Sequence, residues 1–216
     1  MFRSNCYKIS SYQCRLKRHE SLFLPIYPMP HPLVQVHPQT HGIVLDLAYA
    51  TANNIAGRPI YDRAHCLLHR DAEACLRKAV LLAAESGLRL KIFDAFRPHE
   101  AQVLLWQTAP DQAYVADPAI GSNHTRGTAV DLTLVDAQGA ELDMGTAFDD
   151  MSEASHHFSE QVSAQAQANR LLLLRVMEGA GFVHLAHEWW HYALPGHYGL
   201  IDSAALGDLS PMRPAV

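Results

Sequence analysis

The stretch GSNHTRGTAVDLTL, Gly121 to Leu134, passes within a few residues from a polar, glycine-punctuated segment to an alternating one. Successive side chains of a strand point to opposite faces, so Val130, Leu132 and Leu134 share one side and Asp131 and Thr133 the other. The spacing predicts a strand over AVDLTLV whose apolar face joins a core while the Asp131 carboxylate faces a cleft. His124 stands seven positions earlier, and Gly127 between them supplies the turn that folds the loop back so that both groups point at one spot. A neutral imidazole beside an ionised carboxylate is a ligand pair that zinc accepts. The same pair also serves as a His-Asp hydrogen bond that pins a loop, and these residues alone do not choose between the two.

Helical and extended periods alternate on both sides of this strand. RDAEACLRKAVLLAAESG places apolar or small residues at Ala72, Cys75, Leu76, Ala79, Leu82 and Ala83, a helical repeat, with Asp71 as its N-cap and Gly87 as its C-cap. LRLKIFDAF follows as a strand, with Arg97 just past its end. Pro98 opens a second helix that stops before Pro110. AQANRLLLLRVMEGAG reads as a third helix, stopped by Gly179 and Gly181, and FVHLAHEWWHYAL as one aromatic-rich strand ending at Pro195-Gly196. The fold class expected is α+β: a single domain with a small, mainly antiparallel sheet packed against helices.

Composition supports one globular domain. The 216 residues are 49% hydrophobic and 18% charged, enough to bury a full core. The net charge of -5, with no dense basic stripe beyond the N-terminus, argues against nucleic acid as partner. Five of the 17 Lys and Arg precede residue 20 with no acid among them, so 12 face 22 acidic residues in the remainder. Residues 1–30 are therefore expected to be a basic, loosely ordered extension, and 31–216 the functional domain. The apolar run LFLPIYPM after Glu20 is broken by Pro25, which opposes a secretory signal, and no stretch reaches the ~18 apolar residues of a membrane helix. Cys6, Cys14, Cys66 and Cys75 show neither C-x-x-C spacing nor a disulfide framework. A cytoplasmic protein without a membrane partner is the expectation.

HEWWH, His187 to His191, matches H-E-x-x-H, a pattern that needs a helix to bring both histidines to one face. Its surroundings read as a strand, in which positions 187 and 191 share a face but stand too far apart to bind one ion together.

Ser122, His124, Gly127, Ala129 and Asp131, spaced S-x-H-x-x-G-x-A-x-D, followed by E-W-W-H at Glu188 to His191, resemble the zinc D-alanyl-D-alanine dipeptidases, part of a wider set of peptidoglycan D,D-peptidases. FDAFRP around Arg97, LAYATANNIAGRPIY around Tyr49, MGTAFDDM around Asp149 and SHH at Ser155 to His157 extend the likeness over roughly residues 40 to 195. The resemblance implies a zinc cleft holding one zinc ion per chain through His124, Asp131 and His191, with Glu188 as catalytic base. It implies that Arg97 stabilises charge on the scissile carbonyl oxygen, and that Asp149, Tyr49 and Ser122 bind the two ends of a small D,D-dipeptide. His187 has no role in that pattern. The expected reaction is hydrolysis of D-alanyl-D-alanine; the competing readings are a D,D-carboxypeptidase acting on wall stem peptides and a zinc-binding module without catalysis.

Overall fold

The computed structural model describes residues 31–109 and 114–213. In chain order the elements are β1 (Leu33–Gln35), α1 (Pro38–His41), β2 (Val44–Leu45), β3 (Leu67–His69), α2 (Arg70–Ala84), β4 (Arg89–Asp94), α3 (His99–Thr108), β5 (Ala129–Val135), α4 (Ala164–Ala180), β6 (Val183–Leu185) and β7 (Glu188–Ala193). Five strands form one sheet in the order β2-β4-β5-β7-β6, and β1 pairs with β3 in a separate ribbon. Only β2 and β4 run parallel; the pairs β4-β5, β5-β7 and β6-β7 are antiparallel. The α+β class with a mainly antiparallel sheet is thus the fold.

AVDLTLV is the central strand β5, with every residue buried. Val130, Leu132 and Leu134 meet Leu76 and Ala79 of α2 and Leu173 and Met177 of α4 in the main core. The buried positions of α2, Ala72, Leu76, Ala79 and Ala83, follow helical spacing, and small alanines let the helix sit close to the sheet. Asp131 lies on the opposite face. A second apolar cluster there, with Tyr49, Tyr61, Ala101 and Leu105, packs α3 against the segment after β2. The sheet therefore has one mainly apolar face and one on which polar groups collect around the cavity described below.

Four local expectations are corrected: first, the C-cap of α2 is Glu85, and Gly87 stands two residues beyond it at φ 70°. The N-cap of α2 is His69, whose ring accepts a hydrogen bond from the Asp71 amide, so Asp71 stands inside the first turn, where its charge suits the helix dipole. Gly179 lies within α4, and the stop is Gly181, at φ 109°. FVHLAHEWWHYAL is not one strand but the hairpin β6-β7, turning at Ala186 and His187. The basic extension expected over residues 1–30 lies outside the described residues, as do Cys6 and Cys14; Cys66 and Cys75 are free thiols. Among the described residues, no helix is long and apolar enough to cross a membrane.

Candidate active site

Two strand irregularities aim the polar groups. Between β4 and β5, Ile92 pairs with Leu132 but Asp94 with Asp131, leaving Phe93 as an extra residue and setting two carboxylates side by side. Between β6 and β7, His184 pairs with Tyr192 and then Leu185 with Glu188, so Trp189, Trp190 and His191 have no partner on β6. In a regular strand, residues three apart face opposite ways. Here the bulge turns Glu188 and His191 to the same side, with Glu188 Oε2 3.8 Å from His191 Nδ1. On its other edge β7 pairs His191 with Asp131.

His124 arrives from the loop before β5. Gly127 makes this possible: its φ is +69°, and a Cβ there would fall 2.5 Å from Leu33 and 3.1 Å from the His69 amide nitrogen. His124 Nε2 lies 3.2 Å from Asp131 Oδ2 and 3.1 Å from His191 Nδ1, and His191 Nδ1 lies 2.9 Å from Asp131 Oδ1. His124 Nδ1 donates to the Ala95 carbonyl at 2.6 Å, which fixes the tautomer and leaves Nε2 a bare acceptor. A lone pair aimed at a buried carboxylate is repulsive unless a cation lies between them or the ring takes up a proton. The separations of 2.9 to 3.2 Å are close to the ~3.3 Å between neighbouring donors of a tetrahedral set bound at ~2.0 Å. Two imidazoles and one carboxylate are therefore a donor set and spacing that a divalent metal fits. Burial alone would raise the Asp131 pKa, but the two histidines outweigh it and hold the carboxyl well below its ordinary value.

Arg97 is buried beside this group. Its Nε and Nη2 donate to Asp94 Oδ2 at 3.0 and 2.9 Å, its Nη1 donates to Gln102 Oε1 at 3.1 Å, and Nη2 lies 3.6 Å from Asp131 Oδ2. Asp94 Oδ1 also accepts from Tyr61 at 2.7 Å. Asp94, Gln102 and Tyr61 are the site's residues that sequence reasoning missed. The one signal was an acid ending the apolar strand three positions before Arg97, within the motif already singled out.

The expected substrate-binding residues share the cavity with Arg97, His124, Asp131, Glu188 and His191. Tyr49 donates its hydroxyl to Asp149 Oδ1 at 2.9 Å, and the Arg97 guanidinium lies 4.9 Å from the Tyr49 ring centre. Asp149 holds φ at 63°, the only positive value among the described non-glycine residues. Burial pushes its carboxyl up to about 7, against the lowering effect of the Tyr49 hydrogen bond. Ser122 lines the cavity too, its hydroxyl 3.1 Å from that of Thr125. Burial likewise pushes Glu188 up to about 7. His187 stands away from the cluster, its ring against His156. Trp189 is buried as a packing residue, whereas Trp190 forms part of the cavity wall. The cavity measures about 260 Å³, below the ~300–1,000 Å³ usual for drug-sized ligands, and suits a ligand of dipeptide size.

Residues 29–205 match the family described as D-ala-D-ala dipeptidase. The chain belongs to this peptidase family. It is 54% identical over 151 residues, 70% of this chain and 78% of the relative, to a D-alanyl-D-alanine dipeptidase of Escherichia coli. It is 34% identical to proteins of the same description from Enterococcus faecium, over 71% of this chain and 87% of the relative, and from Streptomyces coelicolor, over 71% and 86%. Members of the family are in general zinc-dependent, which agrees with the donor set formed by His124, Asp131 and His191.

Proposed function

We propose that this chain hydrolyses D-alanyl-D-alanine to two D-alanines, with one zinc ion held by His124, Asp131 and His191. The observation that carries the reading is the convergence of those three side chains with Glu188 and Arg97 on one dipeptide-sized cavity. Zinc, when bound, acts as a Lewis acid on a carbonyl oxygen and makes a water molecule more acidic.

The chain's own residues do the rest. Glu188 takes a proton as water oxygen attacks the peptide carbonyl carbon, then returns it to the amide nitrogen as the C–N bond breaks. A base whose pKa lies near the working pH can do both, and burial has moved the Glu188 carboxyl into that range. Arg97 meets the charge that develops on the carbonyl oxygen, held for that purpose by Asp94 and Gln102. Asp149, with Tyr49, receives the substrate ammonium, and Ser122 the carboxylate end. A carboxyl raised by burial becomes ionised when a cation arrives, so the Asp149 site favours a free amino terminus. Free dipeptide and the two free thiols both suit the cytoplasm as the place of action.

The test is zinc content together with turnover of D-alanyl-D-alanine, before and after chelation and metal restoration. One zinc per chain, with activity lost and regained, is the expected result. Hydrolysis of a pentapeptide wall stem without hydrolysis of the dipeptide would instead make the chain a D,D-carboxypeptidase, and zinc without either activity would make it a binding module.

A further inference from the structure

Arg170 takes no part in the chemistry above, yet it is fully buried in the middle of α4. Its partners are carbonyls and not carboxylates: Nε donates to the Met144 oxygen at 2.7 Å and Nη1 to the His156 oxygen at 2.8 Å. Its guanidinium lies 6.0 Å from the Trp189 ring centre. Burying a guanidinium against neutral acceptors is costly, and the two acceptors here are the two ends of one loop. That loop, residues 144–156, carries Asp149 at its tip.

Other contacts close the same loop. Asn169, the neighbour of Arg170, donates to the Asp143 carbonyl at 2.8 Å. Thr146 and Ser155 face each other with their hydroxyl oxygens 2.9 Å apart, and Trp189 Nε1 donates to Thr146 Oγ1 at 2.9 Å. Gly145, at φ +83°, packs so closely that a Cβ would meet Val162 at 2.6 Å. At the tip, Asp149 keeps its left-handed backbone only while its surroundings hold it there. The tip rests on the cavity wall through Tyr49, the Ile55 amide and the Phe148 ring, which stacks on Phe93 and meets Trp190 and Tyr49 edge-on, so the ends of the loop decide where this tip is presented.

We propose that Arg170 is a positioning residue for substrate recognition: its planar fork ties the two ends of the 144–156 loop to α4 and so holds Asp149 at the amino end of the cavity. Lysine cannot replace it, because a single ammonium lacks the rigid fork that spans two carbonyls. The inference rests on the proposed dipeptidase reading for its kinetic consequence, while its structural part stands independently.

The experiment pairs Arg170→Lys with Asn169→Ala and reads each in two ways on the zinc-loaded protein. Hydrogen exchange should quicken in 144–156 while β5 and α4 keep their protection. KM for D-alanyl-D-alanine should rise roughly tenfold with kcat within about twofold, as when ground-state binding alone is lost. Discrimination against the N-acetylated dipeptide should shrink in parallel, a readout that general loss of structure would not move. Unchanged exchange in 144–156 in both variants overturns the clamp. So does quickened exchange with unaltered KM, or a fall in kcat and zinc content without a rise in KM. A wild-type protein that leaves the dipeptide intact rejects the dipeptidase reading instead, and the exchange comparison still decides whether the clamp exists.

Discussion

Replacing Asp94 by alanine removes one side chain that serves three buried donors: Arg97 Nε and Nη2 on one oxygen and the Tyr61 hydroxyl on the other. Each buried donor left without a partner costs roughly 1–3 kcal/mol, and breaking a buried ion pair by removing one member roughly 3–5 kcal/mol. The expected destabilisation is therefore about 3–5 kcal/mol, read as a lower urea midpoint at an unchanged slope. Asp94→Asn should fall between wild type and alanine, because its amide oxygen can still serve Arg97 while its amide group donates to Tyr61. Freed from Asp94, Arg97 retains Gln102 and the more distant Asp131. Its guanidinium then no longer meets the developing charge in a fixed place, and kcat for the dipeptide should fall roughly 10²–10³-fold in Asp94→Ala. The decisive assay is the double-mutant cycle with Arg97→Ala. If Asp94 acts by holding Arg97, the second substitution should add little to the first. Losses that add to within about 0.5 kcal/mol, in stability and in activation free energy alike, would refute the reasoning.

Glu188→Gln should keep its zinc, measured as metal per chain, and lose roughly 10²–10⁴-fold in kcat, the usual contribution of a general acid-base group; a variant that loses the metal instead would mark Glu188 as a ligand. Gly127→Ala, placed at φ +69° with its new methyl against Leu33 and the His69 amide, should destabilise by more than ~1 kcal/mol and weaken zinc binding by shifting His124; wild-type stability and affinity together would contradict the geometry. His157 is buried and accepts or donates at Tyr192, and burial, helped by His184, lowers its pKa to about 4. The unfolded chain, with an ordinary histidine near ~6.5, then binds the extra proton first, so this contribution to stability is complete above that pH and lost as pH falls towards 4, about 2 kcal/mol by pH 5. Urea midpoints of wild type and His157→Gln at pH 7.5 and 5.0 check this: the variant should lose less on acidification, and equal losses would count against it.

Much of this protein is legible from period alone. AVDLTLV and the helix after His69 carry apolar repeats that no other conformation satisfies, and β5 and α2 stand where those repeats put them. The hairpin was hidden because FVHLAHEWWHYAL contains no Gly, Pro, Asn or Asp at its turn; Ala186 and His187 reverse the chain without a local signal, held instead by the pairing of Leu185 with Glu188. Asp94 was hidden for another reason. A carboxylate at a strand end reads as solvated, and only the extra residue at Phe93 swings it beside Asp131 and under Arg97.

The same physics explains how a three-residue spacing can work on a strand at all. In H-E-x-x-H on a helix the turn brings positions four apart together. Here His187, at that spacing, is left in the hairpin turn against His156, outside the cluster. Glu188 and His191 meet because β7 carries three residues that β6 does not match, while β5 pins His191 opposite Asp131. The mismatch with one neighbour supplies the turn of the chain, and the regular ladder with the other fixes where it points.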